Sequence, residues 1–434
     1  MIPRQLVALS LALSIVASCA PTPTPPGLNA DVLEANRGAQ SGVRPSDSVA
    51  LMRRQGELYA RRPFLPGNGI ELLVDGPATF SAMRDAIDTA RARIDMESYE
   101  FDDQAGGQFA DLLIAARMRG VAVYLIYDGW GALTTKSAIF DRMRAAGIEV
   151  LEYNPLRPNG RVPVDLNRRD HRKLLCTDGH LCITGGVNIS KVYENGPASQ
   201  GTDPDDQAWR DTDVRVDGPV AAQFERFFAE TWREQHGRPL PSAPPPPTAP
   251  AGDTLVQAID GAPEDGQPLI YRTLLASIAL SQRSVHVTTG FFVPTPDMLH
   301  ALEAASGRGV DVQLIVPGQS DSDMALWAGR AKYGELLDAG VRIHERQGRI
   351  LHAKTAVIDG AWSAVGSANL DWRSAIWNNE IDAIILGADF AAKLDDVFAA
   401  DRAKSHTIDL PSWNRRGPIQ RLREFRATIL SRFL

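Results

Sequence analysis

The pattern His-x-Lys-x4-Asp-x6-Gly-[Gly/Ser]-x-Asn occurs twice in this chain of 434 residues. The first copy is His171, Lys173, Asp178, Gly185, Gly186 and Asn188; the second is His352, Lys354, Asp359, Gly366, Ser367 and Asn369. Every position of the second copy lies 181 residues after its counterpart in the first (352 − 171). Six points repeated with unchanged internal spacing mark a duplicated unit, so whatever architecture one half adopts the other must adopt too. Each half brings one histidine and one lysine to something shared.

The text around the motifs repeats one programme. A helix is expected at 78–91 and again at 269–280, then a strand at 94–101 and 284–293. A further helix runs into a glycine and an apolar, β-branched strand at 119–126 and 308–316, followed by a helix end and a strand at 145–150 and 339–343. Short apolar runs after a glycine stop read as parallel strands of an α/β unit. The expected fold class is therefore α/β, with each half a mostly parallel sheet flanked by helices and closed by the motif hairpin. At 434 residues the chain fits two such domains, placed at 66–238 and 253–434. Between them, 239–252 carries seven prolines in fourteen positions and reads as a stiff linker. A helix is expected at 48–61, with no evident packing partner, and 194–206 reads as a polar surface loop.

The motif residues suit one kind of chemistry. A phosphodiester resists attack because its oxygens are anionic and its leaving alkoxide is poor. A neutral imidazole can attack phosphorus while a second, protonated imidazole protects the leaving oxygen with a proton. Lys173 and Lys354 supply positive charge to the phosphoryl oxygens, and Asn188 and Asn369 supply amides. No metal or other cofactor is required. If His-x-Lys lies in a strand, period-2 geometry puts both side chains on one face. Asp178 and Asp359 fall at Asp-Gly pairs, which favour hairpin turns, and are read as structural.

The doubled motif resembles the phospholipase D superfamily, and the wider text resembles its bacterial cardiolipin synthase branch. The stretches that carry the likeness include Asn167-Arg-Arg-Asp-His-Arg-Lys-Leu174, Gly185-Gly-Val-Asn-Ile-Ser190, Leu351-His-Ala-Lys-Thr355 and Val365-Gly-Ser-Ala-Asn-Leu-Asp371. The resemblance implies two phospholipase D-like domains with the active site at a pseudo-twofold interface. It implies His171 as nucleophile, His352 as acid, and a covalent phosphatidyl-histidine intermediate. An acidic residue downstream of each motif is expected to hold the ring of its own half: Asp211 in the first, with Asp213 as competitor, and Glu380 in the second. Asn188, Asn369 and Ser367 are expected to bind phosphate oxygens or brace the site, with Ser190 and Asp371 in support. Gly186 departs from the usual serine, which stands at Ser367. Glu97 matches an acidic position of cardiolipin synthases, and a plain strand charge is the alternative. The implied activity is phosphatidyl transfer from a phospholipid, with phosphatidylglycerol the expected substrate; hydrolysis to phosphatidic acid and an exported phosphodiesterase or nuclease are the competing readings.

Charge and the N-terminus bear on partners and address. A net charge of −7 and a pI near 5.7 weigh against a dedicated nucleic-acid binder. Arg4, an apolar run at 6–17 and Val16-Ala-Ser-Cys19 resemble a lipoprotein leader (1–18), with Cys19 the lipidated residue and 19–65 a proline-rich tether and lead-in. The expected location is a bacterial membrane facing the periplasm, the outer membrane favoured because Ala20 follows the cysteine. Cys176 and Cys182 flank the Asp178 turn and are expected as buried thiols, although export would permit a disulfide. The C-terminal segment 413–434 alternates arginines with Ile419, Leu422, Phe425 and Ile429. It reads either as a basic amphipathic helix for anionic lipid or as a helix packed back on the body.

Overall fold

The computed structural model describes residues 45–156, 167–194, 208–241, 250–261, 268–429 and 431. The leader, Cys19 and its tether, most of the 194–206 loop and the centre of the linker lie outside these. Fifteen strands form one sheet: β1 (Leu65–Val74), β2 (Arg93–Ser98), β3 (Ala122–Asp128), β4 (Glu149–Tyr153), β5 (Lys173–Thr177), β6 (Leu181–Gly185), β7 (Thr212–Asp217), β8 (Thr254–Gly261), β9 (Ser284–Thr288), β10 (Asp311–Pro317), β11 (Arg342–Arg346), β12 (Thr355–Ile358), β13 (Trp362–Gly366), β14 (Glu380–Leu386) and β15 (Ser405–Ile408). Their order is β15-β11-β10-β9-β12-β13-β14-β8-β1-β7-β6-β5-β2-β3-β4. Read outward from the β8–β1 seam, the two halves run through equivalent strands, which is the duplication expressed as topology.

The sheet is mixed, which corrects the expectation of a mostly parallel one. Among the fifteen described strands only β2–β3, β3–β4, β9–β10 and β10–β11 pair in parallel. These are the strands joined by helical crossovers. The motif hairpins β5–β6 and β12–β13, and the strands that pair beside them, are antiparallel. A hairpin reverses the chain, so every motif copy inserts antiparallel pairs between the seam and the crossover strands.

Each hairpin turns where the sequence expects it. Asp178 and Gly179 have φ of 52° and 75°, and Asp359 and Gly360 have 54° and 62°, the left-handed pair of a tight two-residue turn. Their carboxylates do a second job. Asp178 accepts from the backbone N–H of Arg91, Ala92 and Arg93, each at 2.8 Å. Asp359 accepts from Gln282, Arg283 and Ser284 in the equivalent stretch, and from the Ser48 hydroxyl at 3.2 Å. Each thereby fixes the entry of the strand beside the hairpin. Cys176 and Cys182 face each other across the first hairpin and form a disulfide, with Cα atoms 4.1 Å apart, rather than two thiols.

Apolar layers cover both faces of the sheet. On one face, helices Asp75–Thr89, Ala105–Met118 and Ser137–Ala145 enclose a core with Phe80, Phe109, Leu113 and Met143. Helices Leu269–Leu280 and Pro296–Gly307 do the same in the second half around Leu275, Ile278 and Leu302. On the other face, helix Ala221–Glu234 places Phe224, Phe227, Phe228 and Trp232 inward at helical spacing, in one core with Val256, Val365, Ile381 and Leu394 from the second half. That core is continuous across the seam. The helix expected at 48–61 is Pro45–Ala60. Although it precedes the first half, it packs on the second: Met52 and Ala60 join that core, and Arg272 lies 4.9 Å from the Tyr59 ring centre. The linker is tied at both ends, by Arg93 to the Pro241 carbonyl (2.7 Å) and by Ala251 N–H to the Gly67 carbonyl (3.0 Å).

Candidate active site

The two motif histidines do not sit inside their strands. β5 begins at Lys173 and β12 at Thr355, so both histidines lie on the approach to the hairpin. Backbone bonds from the opposite half hold each approach. His171 N–H donates to the Asn379 carbonyl (2.9 Å), and Asn379 N–H to the Arg169 carbonyl (2.8 Å). His352 N–H donates to the Arg210 carbonyl (2.8 Å), and Arg210 N–H to the Ile350 carbonyl (2.8 Å). These two short parallel bridges, Asp170 with Asn379 and Arg210 with Leu351, stitch the halves together around a local twofold.

The bridges decide which carboxylate meets which ring. Glu380 follows Asn379, and its carboxylate lies 2.9 and 3.0 Å from His171 Nδ1. Asp211 follows Arg210, and its Oδ2 lies 2.8 Å from His352 Nδ1. The acids are therefore exchanged between halves, not paired within them as the sequence suggests. The rings face each other with centres 6.4 Å apart and planes at 68°. A carboxylate on Nδ1 makes that nitrogen the protonated one and leaves Nε2 free in both rings.

Lys173 and Lys354 are buried beside the rings, and each ammonium donates to the carbonyl of its own histidine. Burial pushes His171 down to about 4, with Lys173 and Lys354 adding to the fall and Glu380 opposing it. Burial and the Lys354 charge push His352 down to about 3 against the pull of Asp211. Both rings are thus neutral in the free site at neutral pH. Burial alone raises a carboxylate, but His171, Lys173 and the Ser367 hydroxyl bring Glu380 down to about 2. His352 and Lys354 likewise hold Asp211 below the usual range against its burial. Burial lowers Lys173 to about 7, with Glu380 working the other way.

The remaining sequence candidates divide by what they touch. Ser367 Oγ donates to Glu380 (2.6 Å) and accepts from Ile381 N–H (2.9 Å), so it braces the acid. Asn188 Oδ1 accepts from Glu100 N–H (3.2 Å), and its amide nitrogen lies 3.5 Å from the Tyr193 hydroxyl. Asn369 Oδ1 is buried without a hydrogen-bond partner among the described residues. Asp371 caps helix Trp372–Ile376 by accepting from Ser374 N–H (2.7 Å). Ser190 is buried, with its N–H on the Asn188 carbonyl. Asp213 accepts from Val187 N–H (3.0 Å) and touches no histidine; Asp382 repeats this with Ser367 and Ala368. Glu97 is buried on the Arg172 side, 4.0 Å from that guanidinium, and not against the rings. Burial and the Glu97 charge push the neighbouring Asp170 well above the usual carboxylate range.

Gly186 has a steric reason. A Cβ there would come 2.1 Å from Asp211 Oδ1. The Asp211 carboxylate occupies the place that the side chain of Ser367 takes in the second half, so a serine does not fit there. Residues that sequence reasoning missed are Tyr193, whose hydroxyl lies 3.0 Å from His352 Nδ1, and Ser374, which donates to Glu380 at 2.7 Å. Both stand five residues beyond the motif asparagine, so extending the repeat alignment would have found them. Tyr99 and Trp209 wall the rings, with centres 5.2 Å from His171 and 5.3 Å from His352.

Comparison with known proteins agrees with this geometry. The sequence profile described as "Cardiolipin synthase, PLD-like domain" matches residues 83–232 and 274–402. Cardiolipin synthase A of Yersinia pseudotuberculosis serotype O:1b (strain IP 31758) is 36% identical over 366 residues, covering 81% of this chain and 72% of that protein. Cardiolipin synthase A of Yersinia pestis gives the same figures. Among solved structures, the phosphatidylserine synthase of Haemophilus influenzae Rd KW20 superposes with a TM-score of 0.63 at 14% identity, over 88% of this chain and 100% of that one, a likeness of fold. Duplicated motif, twofold sheet and sequence relatives converge: the chain belongs to the phospholipase D-like family that includes the cardiolipin synthases.

Proposed function

We propose that this protein is a phosphatidyltransferase of cardiolipin synthase type, working through a phosphatidyl-histidine. The observation that carries the reading is the pair of facing imidazoles, 6.4 Å between centres, each with Nδ1 on a buried carboxylate. Reacting atoms need an approach of about 3–3.5 Å, so a gap of this size suits one phosphoryl group between two ring nitrogens. Lys173 and Lys354 neutralise its oxygens, and the arriving anion favours a proton on His352. In the first step His171 Nε2 attacks phosphorus, the bond to the headgroup oxygen breaks, and His352 Nε2 gives its proton to that oxygen. In the second, an alcohol loses its proton to His352, its oxygen attacks phosphorus, and the phosphorus–nitrogen bond breaks. With the glycerol headgroup of a second phosphatidylglycerol as the alcohol, the product is cardiolipin.

We further place the protein outside the cytoplasm, anchored through Cys19 and favouring the outer membrane. The Cys176–Cys182 disulfide supports an oxidising compartment. The test of activity is incubation with phosphatidylglycerol and lipid analysis. Cardiolipin with released glycerol supports the proposal, whereas phosphatidic acid alone makes the protein a hydrolase. Labelled phosphate trapped on the wild-type protein and lost in His171→Ala identifies the nucleophile. Loss only in His352→Ala reverses the two roles.

A further inference from the structure

The C-terminal helix Pro418–Ile429 is built inside out. Gln420, Glu424 and Ala427 lie on the side turned to the body, where Glu424 and Ala427 are buried and Glu424 pairs with Arg416 at 2.9 Å. At 3.6 residues per turn, Ile419, Leu422, Phe425 and Ile429 fall on the opposite side. They are 70%, 56%, 66% and 64% exposed. These four account for half of the large apolar side chains exposed among the described residues. An ordinary surface helix does the reverse and buries its apolar stripe. Arg421 borders the stripe on one side and Arg423 on the other, and Arg426 stands on the line of Ile419 within it, all exposed. The helix has no exposed acid, since Glu424 is its only one.

The helix that carries the stripe packs, by its other side, towards the site. Ala427 packs with Val293, Ala325 and Ala328, and Phe291, Trp327 and Trp372 lie against that cluster. Arg423 stands over the Trp327 ring at 5.2 Å. Helix Asp323–Arg330, on which the C-terminal helix rests, lines an apolar pocket with Gly290 and Phe291. Gly290 in turn packs on the His352 backbone, where an added Cβ would meet Cα at 2.8 Å.

We infer that this stripe docks the protein on an anionic lipid bilayer, with the four apolar side chains entering the acyl boundary and the flanking arginines meeting headgroup phosphates. An apolar face set among arginines with no exposed acid fits an interface that is apolar inside and anionic at its edge. A second copy of the chain fits less well, because two such stripes face to face bring arginines against arginines. The inference concerns contact with the bilayer and uses no step of the chemistry proposed above.

The test uses the chain without its leader and with Cys19→Ser, so that no acyl group holds it on the vesicles. Phe425→Trp adds a reporter at the centre of the stripe. On phosphatidylglycerol/phosphatidylcholine vesicles with brominated acyl chains, its fluorescence should be quenched beyond that of the parent protein. The double variant Leu422→Asp/Phe425→Asp should partition onto these vesicles about tenfold or more weakly, because two apolar groups are replaced by charge. Its turnover of detergent-dispersed lipid should be unchanged, which separates docking from catalysis. Absence of extra quenching, or unaltered partitioning of the double variant, overturns the inference. So does a wild-type dimer in vesicle-free solution that the double variant abolishes, because the stripe is then a self-association surface.

Discussion

At the scale of single residues, the chemistry is symmetric in type and asymmetric in detail. Gly186 shows why. Its Cβ position is filled by the Asp211 carboxylate, so Gly186→Ser should displace that acid from His352 and lower kcat/KM by about 100-fold, the cost of a misplacement near 1 Å. Adding Asp211→Glu rebuilds the reach found at Ser367 and Glu380 and should recover part of the loss; a double variant no better than the single would rule out the steric account. The pH profile follows from three shifted groups. As pH falls through about 4, His171 gains a proton and can no longer attack. As pH rises through about 7, Lys173 loses its charge and the phosphate its counterion. Measured on a soluble short-chain phosphatidylglycerol, kcat/KM, which reports the free enzyme, should fall below that window as His171 is protonated and, because the protonated fraction of His352 already declines above about 3, steepen its fall above the window as Lys173 loses its charge. Lys173→Arg keeps its charge and should move the alkaline limb upward; a limb left in place means another group titrates there. The repeat made His171, Lys173, His352 and Lys354 legible in the sequence, because matched spacing singled them out from the other polar residues. It could not show that Asp211 belongs to His352. That pairing arises from backbone bridges between segments more than 100 residues apart, beyond any local pattern.

At the scale of elements, the motif aspartates join neighbouring strands as well as turning the hairpins. Asp359 is buried and holds three successive backbone N–H groups and the Ser48 hydroxyl. Asp359→Ala removes the acceptor of the three N–H groups, and at about 0.5–1.5 kcal/mol for each hydrogen bond the loss should be roughly 1.5–4.5 kcal/mol in urea unfolding. Turnover per folded molecule should change little, since Asp359 touches neither ring; a large fall in kcat with normal stability would contradict this. Helices and crossover strands were readable to within a few residues: 269–280 is reproduced and 78–91 becomes Asp75–Thr89. Strand direction was not readable. Buried apolar runs look alike in parallel and antiparallel pairs, so the pairing around β5–β6 and β12–β13 came out mixed. The disulfide is not legible for a related reason: a Cys at each side of a turn is compatible with both states until the register places Cys176 opposite Cys182.

At the scale of the whole molecule, the halves are interlocked three times: by the β1–β8 seam, by the exchanged acids, and by the Pro45–Ala60 helix resting on the second half. Residues 45–241 or 250–434 alone should bind no phosphodiester productively, because each then has a histidine without its carboxylate. Coexpressed, the two pieces should reassemble and regain turnover; activity in either piece by itself would show that the exchange is dispensable. The exchange also sets a timetable. A nascent chain, made N-terminus first, presents His171 long before Glu380 has emerged, so that imidazole has no tautomer lock during most of synthesis. Phosphoryl chemistry must then wait until the last strands have arrived, and a product truncated before residue 380 is inert because His171 has lost its carboxylate.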